Sequence, residues 1–272
     1  MDILTAFGVV AVIGLLAGVL LALASHFFRV EEDETVRRLR ACLPGANCGA
    51  CGYAGCDEYA KALAEGGVKA NLCIPGSTGT ANELAAILGI EAEAPLDLVA
   101  FVHCNGNCDA VSKKAVYDGT KSCVAAATLF GGENVCTHGC VGCGDCAAVC
   151  PVNAICMKDG IAHVDTSTCI GCSMCVRTCP RHIISLVPQD VKTLVMCSST
   201  DKGAFARKAC KNACIGCKKC ANTCPAEAIT VENNLARIDY DKCTRCGVCA
   251  EVCPTGCLKA LNLYAGITGT GL

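Results

Sequence analysis

The chain has 272 residues, 29 of them cysteine, with no Trp and only 4% aromatic residues. Aromatic packing therefore cannot supply a large core. A net charge of −2 argues against a nucleic-acid footprint, and 18% charged residues is too few for a disordered acidic or basic chain. Cysteine at this density means a disulfide scaffold or metal ligation, and the spacing decides between them.

In chain order, the first predicted element is a membrane segment. Ile3 to Phe28 contains no Asp, Glu, Lys or Arg, and its 26 residues exceed the about 20 needed to cross a bilayer core as a helix. The competing reading is a cleaved signal peptide ending near "ALAS" at 22–25. Met1-Asp2 offers no positive n-region and the apolar run is too long for that. Arg29, Arg37, Arg38 and Arg40 follow the segment and none precedes it. The positive-inside rule thus predicts a single-pass anchor in the cell (inner) membrane with a cytoplasmic body. Thiols stay reduced there, so metal binding outranks disulfides.

A small module is expected over 30–80. Cys48, Cys51 and Cys56 are interleaved with glycines, and Cys73 follows after "DEYAKALAEG", which reads as a helix over 57–66. Glycine lets backbone approach an inorganic core with amides aimed at its sulfurs. Four thiolates also suit zinc. The glycine-dense apolar loop favours a [4Fe–4S] cluster. Residues 81–135 are expected to be a linker or short helix followed by a cysteine-containing region.

The next part repeats. Cys140, Cys143, Cys146 and Cys150-Pro151 precede Cys169, Cys172, Cys175 and Cys179-Pro180. A shift of 74 superposes them on Cys214, Cys217, Cys220 and Cys224-Pro225, then Cys243, Cys246, Cys249 and Cys253-Pro254. The same shift aligns Cys123 with Cys197 and Cys136 with Cys210. This is an internal duplication. Each copy holds two runs of C-x2-C-x2-C-x3-C-P, the bacterial two-cluster ferredoxin pattern, in which the fourth cysteine of each run ligates the other cluster. The expected sets are Cys140, Cys143, Cys146, Cys179; Cys169, Cys172, Cys175, Cys150; Cys214, Cys217, Cys220, Cys253; and Cys243, Cys246, Cys249, Cys224. Crossed ligands pin small halves together, so little core is needed. "AICMKDGIAHVD" and "AITVENNLARID" read as β-hairpins turning at Asp159-Gly160 and Asn233-Asn234. The predicted fold class is α+β: a transmembrane helix (1–29), the four-cysteine module, and two tandem ferredoxin domains (136–186 and 187–262) before a flexible tail (263–272).

Nine cysteines remain. A sixth cluster beyond the five is expected from Cys104, Cys108, Cys123 and Cys136, with Cys197 and Cys210 as further candidate ligands. Against it, Cys104 and Cys108 align with Thr178 and His182 at the 74-residue shift. Cys42, Cys156 and Cys257 read as small buried hydrophobes. His138 and His182 lie near ligand runs and could tune potentials by hydrogen bonding, though a packing role suits every histidine, His26, His103 and His163 included. No dinucleotide fingerprint, P-loop or carboxylate pair stands out, and "GITGTG" at 266–271 is assigned nothing. No catalytic residue is expected.

The anchor, then "LPGANCGACGYAGCDEYAKALAEG" with Cys73, then the ferredoxin repeats, resembles the B subunits of Rnf complexes over nearly the whole chain. "CSSTDKGAFARKACKNACIGCKKC" at 197–220 is similar to the second ferredoxin unit of the longer members. The resemblance implies an iron–sulfur subunit of an ion-translocating ferredoxin:NAD⁺ oxidoreductase, not catalytic alone. It would accept electrons from reduced ferredoxin and relay them to membrane partner subunits that carry the flavins, the nicotinamide site and the ion path. Longer members often carry an apolar residue where Cys143 stands, which implies recruitment of another ligand such as the counterpart of Cys136 or Cys123. Two other readings compete: a stand-alone membrane-tethered electron carrier, and a zinc-binding or metal-storage protein.

Overall fold

The computed structural model describes residues 3–27, 33–91, 97–261 and 263. Arg29, on which the orientation reading partly rests, and the tail after residue 263 lie outside them. Helix α1 spans Ile3–Phe27. Among the described residues no helix is long and apolar enough to cross a membrane. The described side chains of α1 run only from Gly8 to Ala24, all exposed, a stretch shorter than the about 20 residues of a span.

The module begins with α2 (Glu34–Cys42), whose N-terminus is capped by Asp33 accepting from the Thr35 amide at 2.8 Å. It packs on α3 (Cys56–Glu65) and α4 (Ser77–Leu88). Leu39, Tyr59, Ala60, Leu63 and Leu84 share one core and are at most 1% exposed. Tyr59, Ala60 and Leu63 fall on one face of α3 at helical spacing, and burying each leucine contributes about 1.5–3 kcal/mol. Helix α4 fills part of the expected linker.

Each ferredoxin copy contains two antiparallel strand pairs. In the first, β2 (Ile155–Lys158) and β3 (Ile161–Val164) form the expected hairpin, while β1 (Leu98–Val102) pairs with β4 (Ile184–Pro188). In the second, β5 (Thr193–Val195) pairs with β8 (Leu258–Ala260), and β6 (Ile229–Glu232) with β7 (Leu235–Ile238). Both hairpin turns have two positive-φ residues, Asp159-Gly160 and Asn233-Asn234, as a two-residue turn matching strand twist requires. Six short helices complete the copies: α5 (Cys123–Thr128), α6 (Asp145–Ala148), α7 (Met174–Thr178), α8 (Gly203–Ala209), α9 (Lys219–Thr223) and α10 (Val248–Glu251); α6, α7, α9 and α10 carry the ligand runs.

The strand register exposes an irregularity in the duplication. Val102 faces Ile184, and Val195 faces Leu258. The next amides repeat the pattern: His103 donates to Ile183 O at 2.7 Å, and Met196 to Cys257 O at 2.8 Å. Cys104 and Cys197 are therefore structural equivalents. They are 93 positions apart whereas Cys136 and Cys210 are 74 apart, so the first copy carries 19 extra residues between Cys104 and Cys136. The alignment of Cys123 with Cys197 at a constant shift is a coincidence of this insertion.

Candidate iron–sulfur sites

In the first module, the Asn47 side chain accepts the Cys56 amide at 2.9 Å and fixes the loop against α3. Tyr59 Oη donates to Lys69 O at 2.7 Å and accepts from the Leu72 amide at 3.3 Å. That holds the segment delivering Cys73 beside Cys48, Cys51 and Cys56, the charges its thiol senses. Arg40 Nε meets Asp57 Oδ1 at 2.5 Å, locking α2 to α3. All four expected ligands of this module come together.

The two copies repeat their sulfur environment to the level of single amides. Cys140 Sγ accepts from the amides of Gly142 and Ala162, and Cys214 Sγ from those of Gly216 and Ala236, each pair 74 residues apart. Gly142 and Gly216 adopt positive φ (91° and 64°) with their backbones against the hairpin turns. A Cβ would lie 2.8 Å from Gly160 O in the first case and 3.1 Å from Asn234 Cα in the second, so glycine is required there. Further amides point at ligand sulfurs: Ala100 to Cys169 at 3.4 Å, Ala154 to Cys150 at 3.2 Å, Arg245 to Cys243 at 3.4 Å. Such donors favour anionic sulfur and raise a cluster's potential.

Cys172 and Cys175 sense Cys169 and Cys150, so the crossed set assembles. In the second copy Cys214, Cys217, Cys220 and Cys253 line a cavity of about 310 Å³. Cys249 senses Cys243 and Cys246, and Cys224 packs against the same core as Cys249. The first copy differs in one cysteine. Its cavity of about 340 Å³ is lined by Cys140, Cys146, Cys179 and Cys123. Cys143 lines a neighbouring cleft with Cys108 and shares a hydrogen bond with Cys123. Asp145 causes this placement: its carboxylate accepts from Ser122 Oγ and the Cys123 amide, both at 2.9 Å, anchoring the start of α5 at the ligand loop.

Burial pushes the Cys146 thiol up to about 12 and those of Cys175 and Cys220 up to about 11. Iron that takes these sulfurs must displace their protons. Among the described residues no three His, Cys, Asp or Glu side chains converge to hold a single metal ion. The cysteines instead surround wider spaces, apolar apart from the backbone amides, and this donor set fits four-iron cubanes.

The remaining candidates separate. Cys104 and Cys136 do come together, but with Cys197 and Cys210 in a further cavity. Cys123 faces the Cys140 site, and Cys108 is exposed.

Comparison with known proteins places iron–sulfur families on these segments. An Fe-S cluster family matches residues 43–75, and a 4Fe-4S dicluster domain matches 139–183 and 213–257, with a second dicluster family over 168–229. The chain is 43% identical over 94% of its length to the B subunit of the Na(+)-translocating ferredoxin:NAD(+) oxidoreductase complex of Acetobacterium woodii, covering 77% of that protein. It is 42% identical over 93% of its length to the B subunit of the proton-translocating ferredoxin:NAD(+) oxidoreductase complex of Clostridium ljungdahlii, covering 90% of it. Against the B subunit of the ion-translocating oxidoreductase complex of Methanosarcina acetivorans it is 37% identical over 89% of its length, covering 92% of that protein. The chain belongs to the B-subunit family of these ion-translocating oxidoreductases. Members from Shewanella sediminis and Aeromonas hydrophila match only 56% of it.

Within this B-subunit chain, three residues read as buried packing cysteines fare differently. Cys257 is fully buried, and its thiol hydrogen-bonds both Cys197 and Cys214, lowering them to about 7 and about 6. Cys42 is half-buried and donates to Arg38 O at 3.4 Å. Cys156 is exposed, because its position in β2 faces away from the core. His138 Nε2 lies 3.5 Å from Asp201 Oδ1, bridging the copies beside Cys136. His103 was legible only as a packing histidine. It joins the copies too: Nδ1 lies 2.8 Å from Val195 O and Nε2 2.7 Å from Ser185 Oγ.

Proposed function

We propose that this chain is the iron–sulfur electron-transfer subunit of an ion-translocating ferredoxin:NAD⁺ oxidoreductase complex. It takes electrons from reduced ferredoxin and relays them to partner subunits at the cytoplasmic face of the cell membrane. When bound, [4Fe–4S] clusters supply one-electron transfer at potentials set by burial and hydrogen bonds to sulfur. The ligands we assign are Cys48, Cys51, Cys56 and Cys73 in the module, and the crossed sets Cys169, Cys172, Cys175, Cys150 and Cys243, Cys246, Cys249, Cys224. Cys214, Cys217, Cys220 and Cys253 hold another. Cys140, Cys146 and Cys179 take Cys123 as fourth ligand, with Cys143 beside it. Helix α1 serves as the anchor, supported by the uncharged run from Ile3 to Phe28.

The observation that carries this reading is adjacency. Cys172 senses Cys48 of the module, and Cys146 senses Cys175 of the neighbouring set. These pairs bring the module's set near the Cys169 set and that set near the Cys140 set, and the chain's role is to hold them in series and exclude water. The full complex in sealed vesicles tests this reading. Ferredoxin-dependent NAD⁺ reduction coupled to ion uptake is expected, and lost when Cys172→Ala interrupts the series. Undiminished reduction in that variant would overturn the relay.

A further inference from the structure

Four cysteines lie outside every ferredoxin-type ligand run, and two of them, Cys104 and Cys136, lie outside every matched dicluster segment as well. Cys104, Cys136, Cys197 and Cys210 come from four separate segments, after β1, before the Cys140 run, after β5 and after α8. Together they line a hollow whose empty space, open solvent included, is about 380 Å³, close to the about 310 and 340 Å³ counted the same way at the Cys214 and Cys140 sites. A Cβ on Gly106 would sit 3.5 Å from both Cys104 Sγ and Cys210 Sγ, and one on Gly139 would sit 3.3 Å from Cys104 Sγ and 3.5 Å from Cys136 Sγ. The two glycines keep the sulfurs facing an open space. Cys136 and Cys210 each sense Cys197, closing the set.

The backbone around these sulfurs repeats what surrounds the ferredoxin-type ligands. Cys140, Cys172, Cys214 and Cys243 each accept the amide two residues further on, from Gly142, Met174, Gly216 and Arg245. The same holds for all four cysteines of the cavity. Gly106 donates to Cys104 and Ser199 to Cys197, both at 3.4 Å, His138 to Cys136 and Asn212 to Cys210. Thiols that merely packed would need no such ring of amides.

The set is also pseudo-symmetric. Cys104 and Cys136 in the first copy correspond to Cys197 and Cys210 in the second, once the 19-residue insertion is allowed for. Cys140 donates its amide to Cys104 Sγ at 3.3 Å, and Cys214 donates its own to Cys197 Sγ. The cavity therefore abuts one ligand set of each copy. We infer that Cys104, Cys136, Cys197 and Cys210 hold a sixth [4Fe–4S] cluster that joins the two ferredoxin copies, electronically and as a staple. This rests on the electron-relay reading above and supplies the step between copies that the five other sets leave open.

Iron and sulfide analysis of the anaerobically purified complex, with Mössbauer spectroscopy of this subunit, tests it. About 24 iron atoms per chain are expected, and about 20 in Cys104→Ser and Cys210→Ser, with one fewer spin centre on full reduction by EPR. Gly139→Val keeps every thiol but fills the space, and should lose the same one-sixth of the iron while the other clusters report an intact fold. A native count of about 20, unchanged in the Gly139→Val and cysteine variants, overturns the sixth site and leaves the relay standing. A native chain without cubanes overturns both.

Discussion

At the scale of single residues, cysteine sulfurs are organised by amides placed two positions downstream, and one carboxylate decides which sulfur lines the first-copy cavity. Asp145 draws Cys123 to the first-copy site and leaves Cys143 facing the cleft with Cys108. In the second copy Cys217, the counterpart of Cys143, lines its cavity directly, and no insertion competes with it. Cys143→Ser is therefore expected to retain full iron and an unchanged EPR spectrum, whereas Cys123→Ser loses or alters one cluster. The opposite ranking would restore the regular motif assignment. The repeated motif points to sixteen ligand positions, Cys143 among them, and makes Cys143 look equivalent to Cys217. What overrides the motif is a contact between residues 22 positions apart, Cys123 and Asp145, which spacing alone does not encode.

Among the elements, the two hairpins were readable because their turn residues must occupy left-handed backbone: Asp159-Gly160 and Asn233-Asn234 allow nothing longer. Helix α3 was readable from its apolar spacing. The β1–β4 and β5–β8 pairs were not, because their partners lie far apart in sequence and each strand is short. Without that register, Cys104 could not be matched to Cys197. His103 ties these pairs together, just beyond β1, through Val195 O of β5 and Ser185 of β4. Burial lowers its pKa from 6.5, with Arg237 adding to the effect, so the folded ring stays neutral while the unfolded ring protonates first. The stability this group contributes is complete above about 6.5 and is lost as pH falls from there toward the folded pKa. Denaturant unfolding measured at intervals below neutrality should show that loss in the native chain and a flatter profile in His103→Gln. Equal slopes in the two proteins would mean that the ring does not titrate differently on folding.

For the whole molecule, the module and the first ferredoxin copy meet at one crowded point. A Cβ on Gly171 would lie 2.5 Å from Leu98 O of β1 and 2.6 Å from Ile74 of the module, next to ligand Cys172. Gly171→Ala also strains a backbone held at φ +63°. It is expected to destabilise the chain by about 1–3 kcal/mol and to weaken magnetic coupling between the module's cluster and its neighbour. Unchanged coupling in the reduced EPR spectrum would show that the module is held elsewhere. The duplication itself was plain from the cysteine spacing, but how the copies face each other was not, since that depends on Cys104, Cys136, Cys197 and Cys210 arriving from four segments. One consequence concerns biosynthesis. Because Gly106 has Cys104 on one side and Cys210 on the other, the junction cannot close until more than three-quarters of the polypeptide has left the ribosome. Under the proposed ligand sets the second copy closes later still, because Cys253 emerges after Cys210, so iron loading would pass through the junction before it finishes in that copy.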